Sequence, residues 1–184
     1  MTVAEIVRVV VNLLERHKAD YQIVGAIACF LYGPIRFTQD VDFVVSIPGK
    51  ELDALLRQLP AEFEIDPQAR MELFTGTMRW VVRVPGSELK VEFFLLGDDA
   101  HHREEFVRKR RKMIPAAGVE ACVATAEDLI IQKLRWAREK DVTDIRGILS
   151  LQGEVLDFTY IEKWCAQHGT LVRFEEIRRS ILET

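Results

Sequence analysis

The chain has 184 residues, 48% of them hydrophobic and 29% charged, which suits one compact domain or a core with a modest appendage. Its net charge of -4 excludes a generally basic nucleic-acid binder, so any basic surface is local. No apolar run approaches the ~18 residues of a membrane span, no secretion-signal pattern follows Met1, and Cys29, Cys122 and Cys165 show neither metal spacing nor a disulfide framework. The expectation is a reduced, cytoplasmic protein.

Apolar residues at Val3, Ile6, Val7, Val10, Leu13 and Leu14 recur at helical spacing and predict a helix over 3–18. Residues 21–24 read as a short buried strand that ends at Gly25. A helix over 26–32 follows, closed by Gly33-Pro34. A second strand is predicted over 41–46 and a helix over 51–59. The stretch 61–77 gives no clear pattern. Residues 80–84 and 89–96 read as strands joined by Pro85-Gly86-Ser87, a hairpin. After Gly97 the character changes. A charged helix is expected over 101–112, one more strand over 119–123, and then a strong helix opened by Thr125 with Asp128 three residues on. Further helices centre on Ile145, Trp164 and Ile177. Strands cluster in the first half and helices in the second, which predicts an α+β fold. The natural boundary lies near Gly97, with an α+β core over 1–98 and a mostly helical part over 99–184 packed on it.

Asp40 and Asp42 are the first residues whose placement asks for chemistry. In a strand, residues two apart share a face with Cα atoms ~6.5 Å apart, so their carboxylates can converge on one cation. Val41, Phe43, Val44 and Val45 make this strand apolar, and such strands are normally covered. Glu92 interrupts another apolar strand, and a charge is seldom buried without a partner. Lys90, on the same face, is one such partner. The other arrangement has Glu92 facing the two aspartates. Three carboxylates at ~4 Å would then repel by about 4 kcal/mol per pair at an effective dielectric of 20, so the cluster would hold a cation. Oxygen-only ligands favour magnesium or manganese.

Other features are weaker. Gly25, between a strand and a helix, suits either a close approach of phosphate to helix-end amides or a plain tight turn. The run Arg108-Lys109-Arg110-Arg111-Lys112 is a solvated helix end or a basic rim for a nucleotide or nucleic acid. His101 and His102 diverge on a helix and have no evident third metal ligand. Trp80, Trp136 and Trp164 sit in periodic apolar contexts and are expected in the core.

Gly25-Ala26, a spacer, Asp40-x-Asp42 and a later Glu92 on its own strand resemble the nucleotidyltransferase superfamily related to DNA polymerase β. The finer pattern Gly25-Ala26-x-Ala28-x-x-x-Tyr32-Gly33-x-x-Arg36-x-Thr38-x-Asp40-x-Asp42 is similar to the minimal and AbiEii-like (abortive-infection) branches. Ala126-Glu127-Asp128-Leu129-Ile130-x-x-Lys133, followed by Lys140-Asp141-x-x-Asp144, resembles them too. The resemblance implies a mixed sheet flanked by helices, with a helical C-terminal part. It implies that Asp40, Asp42 and Glu92 hold magnesium or manganese, with Glu92 helping to deprotonate an attacking hydroxyl. It implies that Gly25, Ala26, Arg36, Thr38 and Lys133 bind a nucleoside triphosphate such as ATP. The implied acceptor is a small molecule such as an antibiotic, a protein side chain, or an RNA end, tRNA included. Ala26 departs from the family's usual serine or glycine. It loses a hydroxyl that can touch phosphate and keeps the backbone amide. The alternative is a non-catalytic protein of this fold acting as partner in a toxin–antitoxin pair.

Overall fold

The computed structural model describes residues 1–72, 76–153 and 155–182. Helix α1 (Val3–Arg16) opens with a reciprocal cap between Thr2 and Glu5, and buries one apolar stripe that includes Ile6, Val10 and Leu14. Strand β1 (Tyr21–Val24) leads directly into the short helix α2 (Gly25–Cys29), and β2 (Asp40–Val45) into α3 (Gly49–Leu56). Two very short strands follow, β3 (Glu64–Ile65) and β4 (Arg70–Glu72). The hairpin β5 (Thr77–Arg83) and β6 (Lys90–Leu95) comes next, antiparallel as its sequence predicts. Then come α4 (Ala100–Arg108), β7 (Arg110–Ile114), β8 (Val119–Val123), and the helices α5 (Ala126–Trp136), α6 (Glu139–Gln152), α7 (Phe158–His168) and α8 (Leu171–Leu182).

The strands form one mixed sheet in the order β3-β5-β6-β2-β1-β8-β7, with β4 paired to β5. Strands β2 and β6 run parallel, as do β1 and β8; β1 and β2 are antiparallel. The sheet draws strands from both sides of Gly97. Its two faces differ. Tyr21, Ile23, Val41, Phe43, Val45, Val91 and Phe93 point to one side and are buried. Phe43 stacks on Phe93 with ring centroids 5.3 Å apart. Burying such a side chain stabilises the fold by about 1.5–3 kcal/mol. Helix α1 lies on this face, where Glu15 accepts a hydrogen bond from the Tyr21 hydroxyl, and the start of α3 packs against Trp80. The opposite face carries Gln22, Val24, Asp40, Asp42, Lys90 and Glu92, and it floors a cleft.

Two expectations are corrected here. The charged helix predicted over 101–112 ends at Arg108, and Arg110–Ile114 forms the edge strand β7 instead. The basic run therefore straddles a helix end and a strand. It is tied down locally, with Lys109 to Asp20 at 3.0 Å and Arg111 to Glu15 at 2.9 Å. The patternless stretch 61–77 holds β3 and β4, while its residues 73–75 lie outside the described residues. Thr125 caps α5 as expected, accepting from the Asp128 amide. Among the described residues no helix is long and apolar enough to cross a membrane.

Candidate active site

The β1-β2-β6 register builds the site. Asp42 stands opposite Val24 on one side and Glu92 on the other, and Asp40 stands opposite Lys90. Neighbours in register share a face, so Asp40, Asp42 and Glu92 look into the same cleft, whose volume is about 410 Å³. Both arrangements open to Glu92 are realised at once. Lys90 Nζ lies 3.1 Å from Glu92 Oε1 and 3.5 Å from Asp40 Oδ1, while Arg79 Nη1 lies 3.1 Å from Glu92 Oε1. Asp42 differs: among the described residues no cation sits within ion-pair distance of it. Burial at the cleft floor, then the negative charges of Glu92 and Asp40, push its carboxyl up to about 7.

Gly25 fixes how closely α2 approaches these acids. Its φ is +64°, a left-handed conformation that favours glycine, and a Cβ added there would run into the Asp42 carboxylate. Gly25 lines the cleft; Ala26, buried in α2, does not. The Thr38 hydroxyl accepts from the Asp40 amide at 3.2 Å and so orders the start of β2 rather than lining the cleft.

A second ionic group lies beside the first. Arg36 donates to both Asp144 oxygens, at 2.7 and 2.9 Å. Lys133 Nζ is 2.6 Å from Asp144 and 3.3 Å from Asp141, and Arg138 Nε is 2.6 Å from Asp141. Burial acts to raise both aspartates, but the bonds from Arg36 and Lys133 to Asp144, and from Arg138 and Lys133 to Asp141, hold them below the usual carboxylate range. The loop before β2 is docked for this purpose: Pro34 fits against Gly147 of α6, where any side chain would collide with its ring. Asp141 lines the cleft; Arg36 and Lys133 do not.

The roof of the cleft was not foreseen. Glu105 of α4 is 3% exposed; its Oε1 accepts from Gln22 Nε2 at 2.9 Å and its Oε2 from Gln132 Nε2 at 2.8 Å. Burial, then the charge of Asp128, push its carboxyl up to about 8. Gln22 carried a usable signal, since it is a lone polar residue inside an otherwise apolar strand, as Glu92 is. Glu105 carried none, because it sits in the charged run 103–105. Trp136, expected in the core, lines the cleft, whereas Trp80 and Trp164 are buried as expected. The third ligand missing for His101 also exists in space: Asp99, His101 and His168 each bring a ligand atom within 4.8 Å of the others. Both ring nitrogens of His101 are already engaged, by Asp128 at 3.2 Å and Gln132 at 3.3 Å.

Comparison with known proteins bears on the family and the fold. The family model described as nucleotidyl transferase of unknown function (DUF2204) matches residues 3–182. No curated protein matches the chain closely enough to count as a relative. Among solved structures, the chain is similar to an antigenic nucleotidyltransferase-like protein from Paracoccidioides brasiliensis (20% identity, TM-score 0.57, 98% of this chain and 91% of that one). It is similar to ANT(2'')-Ia in complex with adenylyl-2''-tobramycin (17%, 0.58, 91% and 97%). The lincomycin-bound lincosamide antibiotic adenylyltransferase LnuA also matches (11%, 0.56, 82% and 98%). At these identities the likeness is one of fold.

Proposed function

Because the chain belongs to this nucleotidyl transferase family, we propose that it moves a nucleoside monophosphate from a nucleoside triphosphate, such as ATP, to an acceptor hydroxyl, releasing pyrophosphate. The observation that carries the reading is the trio Asp40, Asp42 and Glu92 on one cleft floor, with Asp42 lacking a cation of its own. Three hard oxygen donors fit magnesium or manganese. When bound there, such an ion supplies charge neutralisation at the attacking and leaving oxygens.

The chain's own residues do the rest by position. Glu92, held by Lys90 and Arg79 on the cleft floor, takes the proton of the attacking hydroxyl. The Gly25 backbone, which lines the cleft at the start of α2, receives the phosphates. Lys133, buried behind the cleft, directs its ammonium to Asp141 and Asp144 and so positions Asp141, which lines the cleft. Arg36 keeps its bidentate hold on Asp144 and donates from Nη1 to the Phe37 carbonyl, so it positions the loop before β2. In this reading the core 1–98 carries the carboxylates, and the helical part 99–184 covers the nucleotide. A reducing cytoplasm suits the three free thiols.

ANT(2'')-Ia bound to adenylyl-2''-tobramycin and LnuA bound to lincomycin make a small-molecule hydroxyl the first acceptor class to try, ahead of a protein side chain or an RNA end such as tRNA. The test is incubation of each α-labelled triphosphate with magnesium, the protein and cell extract. Label is expected in one extract fraction with wild type and in none with Asp42→Asn. Two observations favour a second reading, a non-catalytic toxin–antitoxin partner: Ala26 offers no hydroxyl, and Lys90 and Arg79 already neutralise Glu92. Nucleotide binding without label transfer to any fraction would support that reading and overturn the first.

A further inference from the structure

The end of the cleft away from Asp40 contains a polar arrangement that the transfer reaction does not use. Gln22 is 1% exposed, and its Oε1 is buried without a hydrogen-bond partner among the described residues. Its Nε2 donates to Glu105 Oε1, and Glu105 Oε2 takes the Gln132 donor. Two acceptors, the Gln22 carbonyl and the Glu105 carboxyl, thus lie together where the floor and roof of the cleft meet. Both amide nitrogens beside them already donate to Glu105, and among the described residues no cation lies within ion-pair distance of Glu105. Arg135, whose charge acts on Glu105, is turned to Asp99 at 3.5 Å. His102, which also lines the cleft, is shifted toward its neutral form by burial.

Buried acceptors of this kind normally have a donor, and a buried carboxylate normally has a cation. A group that suits these acceptors is small, positively charged and rich in donors. A primary ammonium, with three donors and one charge, can serve both at once. We propose that the Gln22–Glu105–Gln132 end of the cleft binds a protonated amino group of the acceptor, which makes the acceptor an amine-bearing alcohol. The apolar residues Val44, Phe94 and Leu129 lie along the same cleft and would seat the carbon skeleton between the amine and the reacting hydroxyl. With the cleft empty, Glu105 holds a proton at neutral pH, in line with its raised carboxyl. An arriving ammonium takes over that role, and the proton leaves to solvent.

The inference deepens the nucleotidyltransferase reading, and its test is built to be independent of it. Aminopolyols, from glucosamine to diamino- and triaminocyclitols, are titrated calorimetrically at pH 7 in chelator without nucleotide. Each is paired with a counterpart bearing hydroxyl or N-acetyl in place of the amine. At least one amine is expected to bind while its counterpart does not. Its heat should vary with the ionisation enthalpy of the buffer, reporting release of a proton. Glu105→Gln, nearly the same shape, should weaken that amine tenfold or more and abolish the buffer dependence. Gln22→Leu, which removes the orphan carbonyl together with the amide that donates to Glu105, should weaken it as well and serves if Glu105→Gln folds poorly. The titrations contain neither nucleotide nor metal, so failure of nucleotidyl transfer does not affect the result. Equal binding of amine and neutral counterpart, unchanged binding in Glu105→Gln, or no binding by any amine would each overturn the proposal.

Discussion

Asp144 is buried and Asp42 is half-buried on the cleft floor nearby, and the fold treats the two acids oppositely. Asp144 accepts two bonds from Arg36 and faces Lys133 at 2.6 Å, so its carboxyl is held below the ordinary range. Asp42 has Glu92 and Asp40 for neighbours, with the nearby cations Lys90 and Arg79 turned to those neighbours, and its carboxyl is pushed up to about 7. The difference teaches where a ligand is needed. An acid whose charge is balanced by the chain's own cations is complete and holds the structure. An acid left short of a cation waits for one from outside, and the apo fold carries that deficit as repulsion.

Removing the balanced acid should therefore do the most damage. Asp144→Asn leaves Arg36 and Lys133 facing a neutral amide. Breaking a buried pair of this kind costs about 3–5 kcal/mol. Urea melts in chelator should show a loss of that size; a change under about 1 kcal/mol would mean that the Arg36–Asp144–Lys133 group does not hold the loop to α6.

Next in size is the response to pH, which separates the two kinds of acid by sign. Asp42 and Glu105 keep protons in the folded state up to about 7 and about 8, against ordinary values of 3.8 and 4.5. The unfolded chain gives those protons up earlier. Their contribution is fully present below the ordinary values and is lost as pH rises through the folded ones. Asp141 and Asp144 are lowered, so their contribution is present above the ordinary value of 3.8 and is lost as pH falls below it. Urea midpoints in chelator should thus decline from pH 5 to pH 8.5, and Glu105→Gln should flatten the upper part of that decline. A midpoint that stays level over this window would break the distinction.

The smallest effect is expected at Lys90, whose pairs with Asp40 and Glu92 are about a third open to water on the lysine side. Lys90→Gln should change apo stability by no more than about 1 kcal/mol. Because it removes a competing cation, it should tighten manganese binding, as read by electron paramagnetic resonance. Weaker manganese binding in the variant would instead make Lys90 a necessary positioner of Glu92.

The parts of this picture that were legible in the sequence share one property: the local pattern conflicts with itself. Asp40, Asp42 and Glu92 stand out because acids interrupt strands that are otherwise apolar, and the register confirms that they share a face. Strand β1 and the Thr125-capped helix were readable from pattern and cap alone. Strand β7 was not. It lies at the sheet edge, Arg110 and Arg111 need no apolar alternation there, and they extend the charged pattern of α4. Strands β3 and β4, of two and three residues, are too short to show a period. The pairing of Arg36 and Lys133 with Asp144 is a tertiary fact, since Arg36 and Asp144 lie 108 residues apart. Glu105 lies among charged neighbours, and only the packed fold reveals that it faces inward.

The central claim, that Asp42 belongs to an incomplete cation site and is not a structural acid, is tested most directly by urea melts of wild type and Asp42→Asn, each in chelator and in magnesium with ATP. In chelator the variant should be as stable as wild type or more so, because the substitution relieves like-charge repulsion. In magnesium and ATP the wild type should gain about 2.7 kcal/mol at ligand 100-fold above its dissociation constant, and the variant should gain far less. A variant strongly destabilised in chelator that still shows the full gain would contradict the claim.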